Sequence, residues 1–342
     1  MPISGYVSAL VFLLVAFAAH AIDEIRLSTG PVDAEDWRAA GLSAGLDLGS
    51  GEGAPTAYVE IDLASFLKDS PGAERMRLDC GRLEISADRL GCRSARVSGQ
   101  PGVPLLDGQP LELEFDRERG ELRLWSDELT LAGGRGDITA TWSRDSGAWR
   151  AKGAFHGLKL SALPPLLGEL GLEAQDVGAD GGVLDLELSA SGGEGPAFRV
   201  KGALRGSGMV LNNASGTLAS EGLGMRADFD LRCDGKACAG PIEWALDAGQ
   251  LYVDPVFLDL DAQPLRLAAR SRFGNGPLSL SAISVDQPGV LTARAALEWD
   301  GEGQGLKTLD INEFDVHLPR GFQTWMSPFL LESGLDDMET SG

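Results

Sequence analysis

Residues 183–188 read Val-Leu-Asp-Leu-Glu-Leu, and this alternation of apolar and acidic side chains decides the fold class. Successive side chains of a β-strand point to opposite faces of a sheet, so a period of two predicts one apolar face and one face in water. The same alternation recurs at 111–115, 122–125, 227–231, 265–267 and 278–280. The sequence therefore predicts a mainly β protein.

Turn-forming dipeptides punctuate these strands at intervals of about 8 to 12 residues. They are Asp107-Gly108, Arg119-Gly120, Ser146-Gly147, Asp234-Gly235, Asn275-Gly276 and Asp300-Gly301. Gaps this short suit antiparallel hairpins, because a parallel crossover needs a dozen or more residues. We expect an extended, twisted antiparallel sheet, a repeating β-groove, with a few short helices at 33–40, 63–68, 160–172 and 319–335.

Composition excludes several classes of function. The 342 residues include 29 Lys and Arg against 51 Asp and Glu, a net charge of −22, so nucleic acid and anionic lipid surfaces are poor electrostatic partners. Only three His are present, which argues against His-based catalysis and His-rich metal sites. Gly41-Leu42-Ser43-Ala44-Gly45 matches a nucleophile elbow, but the strand before it and the helix after it are not predicted. We expect no enzyme activity, no catalytic residue, no metal and no cofactor.

The N-terminus has the pattern of an export signal. Residues 6–18 form an apolar run, and Ala19-His20-Ala21 follows as a small-residue cleavage site. The run is shorter than the roughly 20 apolar residues of a spanning helix, although no Lys or Arg precedes it. We assign residues 1–21 to a signal peptide or a short membrane anchor, and both alternatives stay open.

The four cysteines form two local pairs. Of three possible pairings we expect Cys80–Cys92, which brackets a strand and a turn, and Cys233–Cys238, which brackets a hairpin tip. A zinc site is disfavoured, because the second pair lacks CxxC spacing and has no neighbouring His. Disulfides agree with an oxidising compartment.

Two stretches, 155–188 and 314–342, share an order of features. Each has a strand, a short apolar helix, a Gly-Leu step, acidic residues and a small-residue turn; the first then runs into the strand at 183–188. This predicts a large repeat, unless the likeness of two apolar helices is coincidental. We divide the chain into 1–21, an N-terminal β region at 22–155 and a repeated β-groove region at 156–342, with the second copy truncated at the C-terminus.

At these residues the chain resembles the N-terminal portion of the AsmA-like family, the YdbH- and TamB-type intermembrane phospholipid transport proteins of Gram-negative bacteria. The resemblance rests on Leu163-Pro164-Pro165-Leu166-Leu167, on the strand at 183–188, on the echo at 314–342 and on the stretch 250–255. It implies a taco-like sheet in the periplasm, tethered at the inner membrane, whose apolar face carries phospholipid or other acyl lipid between inner-membrane and outer-membrane envelope components. The chain departs from the family in its cleavable-looking leader and its short length.

The residues predicted to bind lipid are alternate apolar positions in the central strands. They are Leu184, Leu186, Leu188, Phe198, Val200, Phe229, Leu231, Leu265 and Leu267. Which face they occupy depends on register, since a shift of one residue inverts the face. An acyl chain of about 15 methylenes, at about 0.8 kcal/mol each, would supply about 12 kcal/mol of burial.

The alternative from another class is a closed β-sandwich, a structural or adhesion module of the cell envelope that binds protein or polysaccharide. A sandwich buries its apolar face between two sheets, whereas a groove leaves that face open. A secreted hydrolase is a third possibility and would need a convergent polar pocket.

Overall fold

The computed structural model of the chain describes residues 24–29, 32–33, 38–39, 41–47, 56–62, 76–99, 108–163, 177–274, 276–300 and 305–332. The predicted leader at 1–21 and the helix at 63–68 lie outside these ranges, as do most of the helix at 160–172 and the end of the chain.

The described residues form twenty strands and very little helix. The strands are β1 Glu24–Thr29, β2 Val32–Asp33, β3 Arg38–Ala39, β4 Gly41–Asp47, β5 Thr56–Asp62, β6 Met76–Ile85, β7 Arg89–Gly99, β8 Pro110–Asp116, β9 Glu121–Leu131, β10 Gly134–Ser143, β11 Trp149–Lys159, β12 Val177–Gly192, β13 Phe198–Asn213, β14 Leu218–Cys233, β15 Ala237–Val253, β16 Val256–Asp259, β17 Leu265–Gly274, β18 Gly276–Gln287, β19 Leu291–Asp300 and β20 Gly305–Val316. The helical segments are a 3-10 turn at Leu160–Ala162, a π-helical turn at Phe322–Met326 and helix α1 at Ser327–Glu332.

Eighteen strands make one large open antiparallel sheet, which confirms the predicted fold class. From β4 onward the strands pair mainly in chain order, and β1 pairs with β4. β15 is long enough to pair with β16 through its last residues and with β17 through its first. Strands β2 and β3 form a separate small hairpin. The sheet continues through β11, so the expected boundary between residues 155 and 156 lies inside a strand.

The helix expected at 33–40 is wrong for the residues that can be compared. Asp33 pairs with Arg38, and Val32 pairs with Ala39, in a short hairpin. The acidic residues at its start favour a helix cap. A helix of eight residues is stable only when it packs against other elements, so strand pairing overrides this weak local preference. The helical segment expected at 319–335 is found as two short pieces within 322–332.

A line of left-handed glycines crosses the central strands. Gly157, Gly182, Gly208, Gly222 and Gly249 all have positive φ, and the register of each neighbouring strand pair shifts beside them. Such β-bulges bend the strands that contain them. The main buried cluster lies along this line, with Leu158, Met209 and Leu223 each directly following one of the glycines. The bend therefore concentrates burial in one part of the sheet.

A second, smaller cluster lies in the N-terminal half. Cys80, Cys92, Ala95, Val97 and Leu111 are all buried there. These residues come from β6, β7 and β8, which are neighbours in the sheet.

Candidate functional site

The strand register places all nine predicted lipid-binding residues on one face of the sheet. Leu184, Leu186 and Leu188 lie opposite β13 residues that share a face with Phe198 and Val200. Val200 in turn lies opposite Leu231, and Gly202, from the same face, lies opposite Phe229. Leu265 and Leu267 on β17 lie opposite Leu246 and Trp244 on β15, and β15 pairs with β14, so both leucines share the same face. We call this side of the sheet the apolar face.

The apolar face extends to the outer strands in both directions. Toward the N-terminus it continues through Leu124 and Leu113 to Cys92. Toward the C-terminus it continues through Val285 and Ala293 to Phe314. One continuous hydrophobic surface therefore runs across the large sheet.

Burial of this face is uneven. Near the line of glycines, Leu184 and Leu265 are only 8% and 6% exposed. Away from it, Leu188 is 37% and Trp244 is 40% exposed. On the edge strand β20, Ile311 reaches 58%. In the described part of the chain the face is thus buried along the bend and in the N-terminal cluster around Cys92, and it exposes large apolar side chains such as Leu188, Trp244 and Ile311. We call this partly exposed face the trough.

Both short helical segments lie at one end of the trough, which we call the cap end. An even number of antiparallel steps separates β11 from β20, so both strands run the same way and both helical segments emerge at this end. Leu160, Leu163 and Trp325 pack against the same buried cluster. The Trp325 indole N–H donates to the Gln287 side-chain carbonyl at 2.8 Å, and the Gln287 amide donates to the backbone of Gln263 at 3.1 Å.

The opposite side of the sheet, the polar face, carries ion-pair networks. On β7 and β8, Arg93 reaches Glu112 at 2.5 Å and Glu114 at 3.2 Å, and its guanidinium lies 5.1 Å from the Trp125 ring centre. The hydrogen bond to Glu112 raises the pKa of Arg93. These groups form a solvated charge ladder, which stabilises cross-strand pairing.

A second network lies on β13 and β14. Asp230 accepts hydrogen bonds from Arg199 and lies 3.2 Å from the Lys201 ammonium. The hydrogen bond from Arg199 is the main cause that lowers the pKa of Asp230 to about 2. Asp230 is therefore a fixed negative charge at neutral pH and has no use as a general acid or base there.

Two concavities lie mainly on the polar face. One of about 670 Å³ is lined by Lys152, Glu187, Asp228 and Glu243 among others, and one of about 580 Å³ includes Asp247 and Asp286. Within the described ranges no three potential metal-ligating side chains come together. Ser43 lies in the middle of β4, paired on both sides, so the strand-turn-helix context of a nucleophile elbow is not what surrounds it.

Both predicted cysteine pairs are confirmed as disulfides. Cys80 and Cys92 join β6 to β7 with a Cα–Cα distance of 5.6 Å. Cys233 and Cys238 face each other across the β14–β15 hairpin at 4.0 Å. Both bridges lie on the apolar face, and Cys80, Cys92 and Cys233 are buried there.

The sequence favours core or groove-edge positions for Trp244 and Trp299, and the register places both on the apolar face. Phe273 lies on the same face and was not predicted, although parity counted across the hairpin would have found it. The glycines of the bend were also not predicted. Their signal was a glycine followed by a large apolar residue inside an alternating run, as in Gly208-Met209 and Gly222-Leu223.

Comparison with known proteins adds no relative: the chain matches no protein-family model, no curated protein and no solved structure. Among the described helices, none has the length and hydrophobicity needed to cross a membrane.

Proposed function

We propose that the chain is a non-enzymatic lipid-binding or lipid-transfer protein that holds acyl chains along its apolar face. The observation that carries this proposal is the continuous apolar face whose large side chains, such as Leu188 and Trp244, stay about 40% exposed. Soluble proteins seldom expose so long an apolar surface unless it binds something. An acyl chain would cover it and supply about 0.8 kcal/mol per buried methylene.

The envelope location belongs to the same proposal. Two disulfides support an oxidising compartment, and the apolar leader followed by Ala19-His20-Ala21 supports export. The resemblance to AsmA-like proteins would then place the chain in the periplasm, carrying phospholipid between inner-membrane and outer-membrane components. The repeated passage from strand to helix at the cap end supports this resemblance.

The β-sandwich alternative is supported less well. It requires a second sheet over the apolar face, whereas eighteen of the twenty described strands belong to one sheet. A sandwich would also bury residues such as Leu188 and Trp244.

The test is native mass spectrometry of the purified chain, followed by titration with the fluorescent fatty acid parinaric acid. We expect phospholipid to co-purify and the fatty acid to bind. A double variant of the trough, Leu188→Asn with Trp244→Ser, should weaken that binding at least about tenfold, because each lost contact removes roughly 1.5–3 kcal/mol of burial.

The matched control is Glu187→Gln with Glu243→Gln. These residues precede Leu188 and Trp244 directly and lie on the polar face, so the control should bind the fatty acid like the unmodified chain. A lipid-free chain that takes up no fatty acid would overturn the proposal, and so would equal losses in the two double variants.

A further inference from the structure

The end of the sheet opposite the cap end has a distinct chemistry. We call it the hairpin rim: it contains the turns that join β10 to β11, β12 to β13 and β14 to β15, and the end of β17 at Phe273. On the apolar face, one cross-strand row runs along this rim. Its members, in register order, are Trp142, Trp149, Gly192, Phe198, Cys233, Cys238 and Phe273.

This row places aromatic rings at the boundary between the trough and solvent. Trp142 and Phe273 are 41% and 39% exposed, and the ring centres of Trp149 and Phe198 lie 6.2 Å apart. Trp at such a boundary is typical of membrane–water interfaces, where the ring is half in hydrocarbon and half among headgroups.

On the polar face, the adjacent cross-strand row is rich in arginine and contains no acidic residue from β10 to β18, although its next member on β19 is Glu298. It runs Thr141, Arg150, Ser191, Arg199, Arg232, Ala239, Arg272 and Ser279. Arg150 and Arg272 are five strand spacings apart, about 24 Å. The row contains four arginines, and in the described part of the chain only one of them, Arg199, forms an ion pair; its partner is Asp230.

The rim differs in charge from the rest of the molecule. Segments 141–151, 189–201, 230–240 and 270–274 contain eight basic and four acidic side chains, a net charge of +4 in a chain of −22. A comparable row lies six residues further from the rim on the same strands and contains Arg205, Arg226 and Arg266. In that row acidic residues lie directly opposite both ends: Asp185 pairs with Arg205, and Asp286 pairs with Arg266. The basic excess is therefore local to the rim.

Like charges are opposed in both rows, since Arg199 lies opposite Arg232 and Arg205 lies opposite Arg226. Such opposition destabilises a sheet unless a carboxylate or another anion lies nearby, and the rim row has no acidic member on the strands from β10 to β18. A row of positive charge beside a row of aromatic rings fits a surface that is anionic at the headgroups and apolar just beneath them.

We infer that the hairpin rim docks on the surface of an anionic lipid bilayer. The arginine row contacts headgroup phosphates, and Trp142, Trp149 and Phe273 insert at the interface. The negative net charge of the whole chain disfavours binding to an anionic bilayer. At about 0.1 M salt, however, charges more than about 10 Å from the contact are largely screened, so the local positive charge of the rim decides the interaction. Docking does not require a lipid in the trough, so this inference and the proposed function can fail separately.

The test is co-flotation of the full chain with phosphatidylcholine vesicles that contain either no phosphatidylglycerol or about 30% of it, at 0.1 M salt. We expect binding only to the anionic vesicles, with a blue shift of tryptophan fluorescence, and release at 0.5 M salt. The triple variant Arg199→Ser, Arg232→Ser, Arg272→Ser should weaken partition on the order of a hundredfold, from about tenfold or less per arginine.

The matched control is Arg205→Ser, Arg226→Ser, Arg266→Ser, which makes the same change of charge on the same three strands, six residues from the rim. It should change partition less than about threefold. Equal loss in both triple variants, or equal binding to neutral vesicles, would overturn the inference. Equal affinity for soluble polyglutamate would also overturn it, since the rim would then be a general anion site. If the rim variant does not fold, the salt and lipid comparisons on the unmodified chain still decide.

Discussion

Asp230 shows how a single side chain on the polar face depends on its cross-strand neighbours. Its carboxylate lies between Arg199 and Lys201, which come from the adjacent strand. A pattern of alternating residues predicts that Asp230 faces solvent, and it does lie on the polar face. The identity of its partners follows only from the register of β13 against β14.

We predict that Asp230→Asn destabilises the chain at pH 6 and that the difference disappears as the pH falls toward 2. The folded pKa of Asp230 is lowered from 3.8 to about 2, mainly by the hydrogen bond from Arg199. A depressed folded pKa gives stability above the unfolded pKa, and this stability is lost as pH falls from about 4 to about 2. Urea unfolding midpoints at pH 6, 4 and 2 measure it.

The control for this prediction is Asp228→Asn, two residues earlier on the same face of β14. Its cross-strand neighbour Glu243 is also acidic, so removing the Asp228 charge should not destabilise the chain at pH 6. If both variants lose stability equally at pH 6, the Arg199 contact has no special role.

The bend of the central strands is a property of whole elements. Gly222 and Gly249 face each other across β14 and β15, both with positive φ, where the register shifts. A Cβ on Gly249 would overlap the backbone carbonyl of Gly222, whereas a Cβ on Gly222 would come no closer than 4.0 Å to Gly249. Both glycines therefore have a left-handed backbone, but only at Gly249 would an added side chain overlap the neighbouring strand.

We predict that Gly249→Ala is much more destabilising than Gly222→Ala. The Gly222 variant should lower the free energy of unfolding by about 1–2 kcal/mol, because alanine is strained in a left-handed conformation. The Gly249 variant adds a backbone overlap and should cost more than about 3 kcal/mol. Chemical denaturation of both variants measures the difference, and equal losses would mean that the bulge can relax at no cost.

At the scale of the molecule, an exposed apolar face coexists with a net charge of −22. At neutral pH this charge makes copies of the chain repel one another. The sequence isoelectric point is near 4.5, where this repulsion vanishes. Exposed side chains such as Trp244 and Trp299 would then be free to drive association.

We predict reversible association of the lipid-free chain as the pH approaches 4.5. Light scattering at pH 7, 5.5 and 4.5 would measure it, and Trp244→Ser with Trp299→Ser should reduce it because both side chains are about 40% or more exposed on the apolar face. A chain that stays monomeric at pH 4.5 without lipid would indicate that the face is covered.

The amino-acid sequence by itself determined the mainly β class, the antiparallel hairpins and both disulfide pairs. These properties are local, because alternation and short turns act within one hairpin. Even so, the hairpin at 32–39 was mistaken for a helix, since so short a segment carries little periodic signal.

Tertiary structure decided where the strands bend, which part of the apolar face is buried and which charges line the hairpin rim. Each bulge shifts the register by a residue, and the row that a side chain joins depends on the sum of such shifts across several strands. Arg150 and Arg272 are 122 positions apart in the chain, yet they lie in one row because five successive pairings align them. No local pattern contains that information.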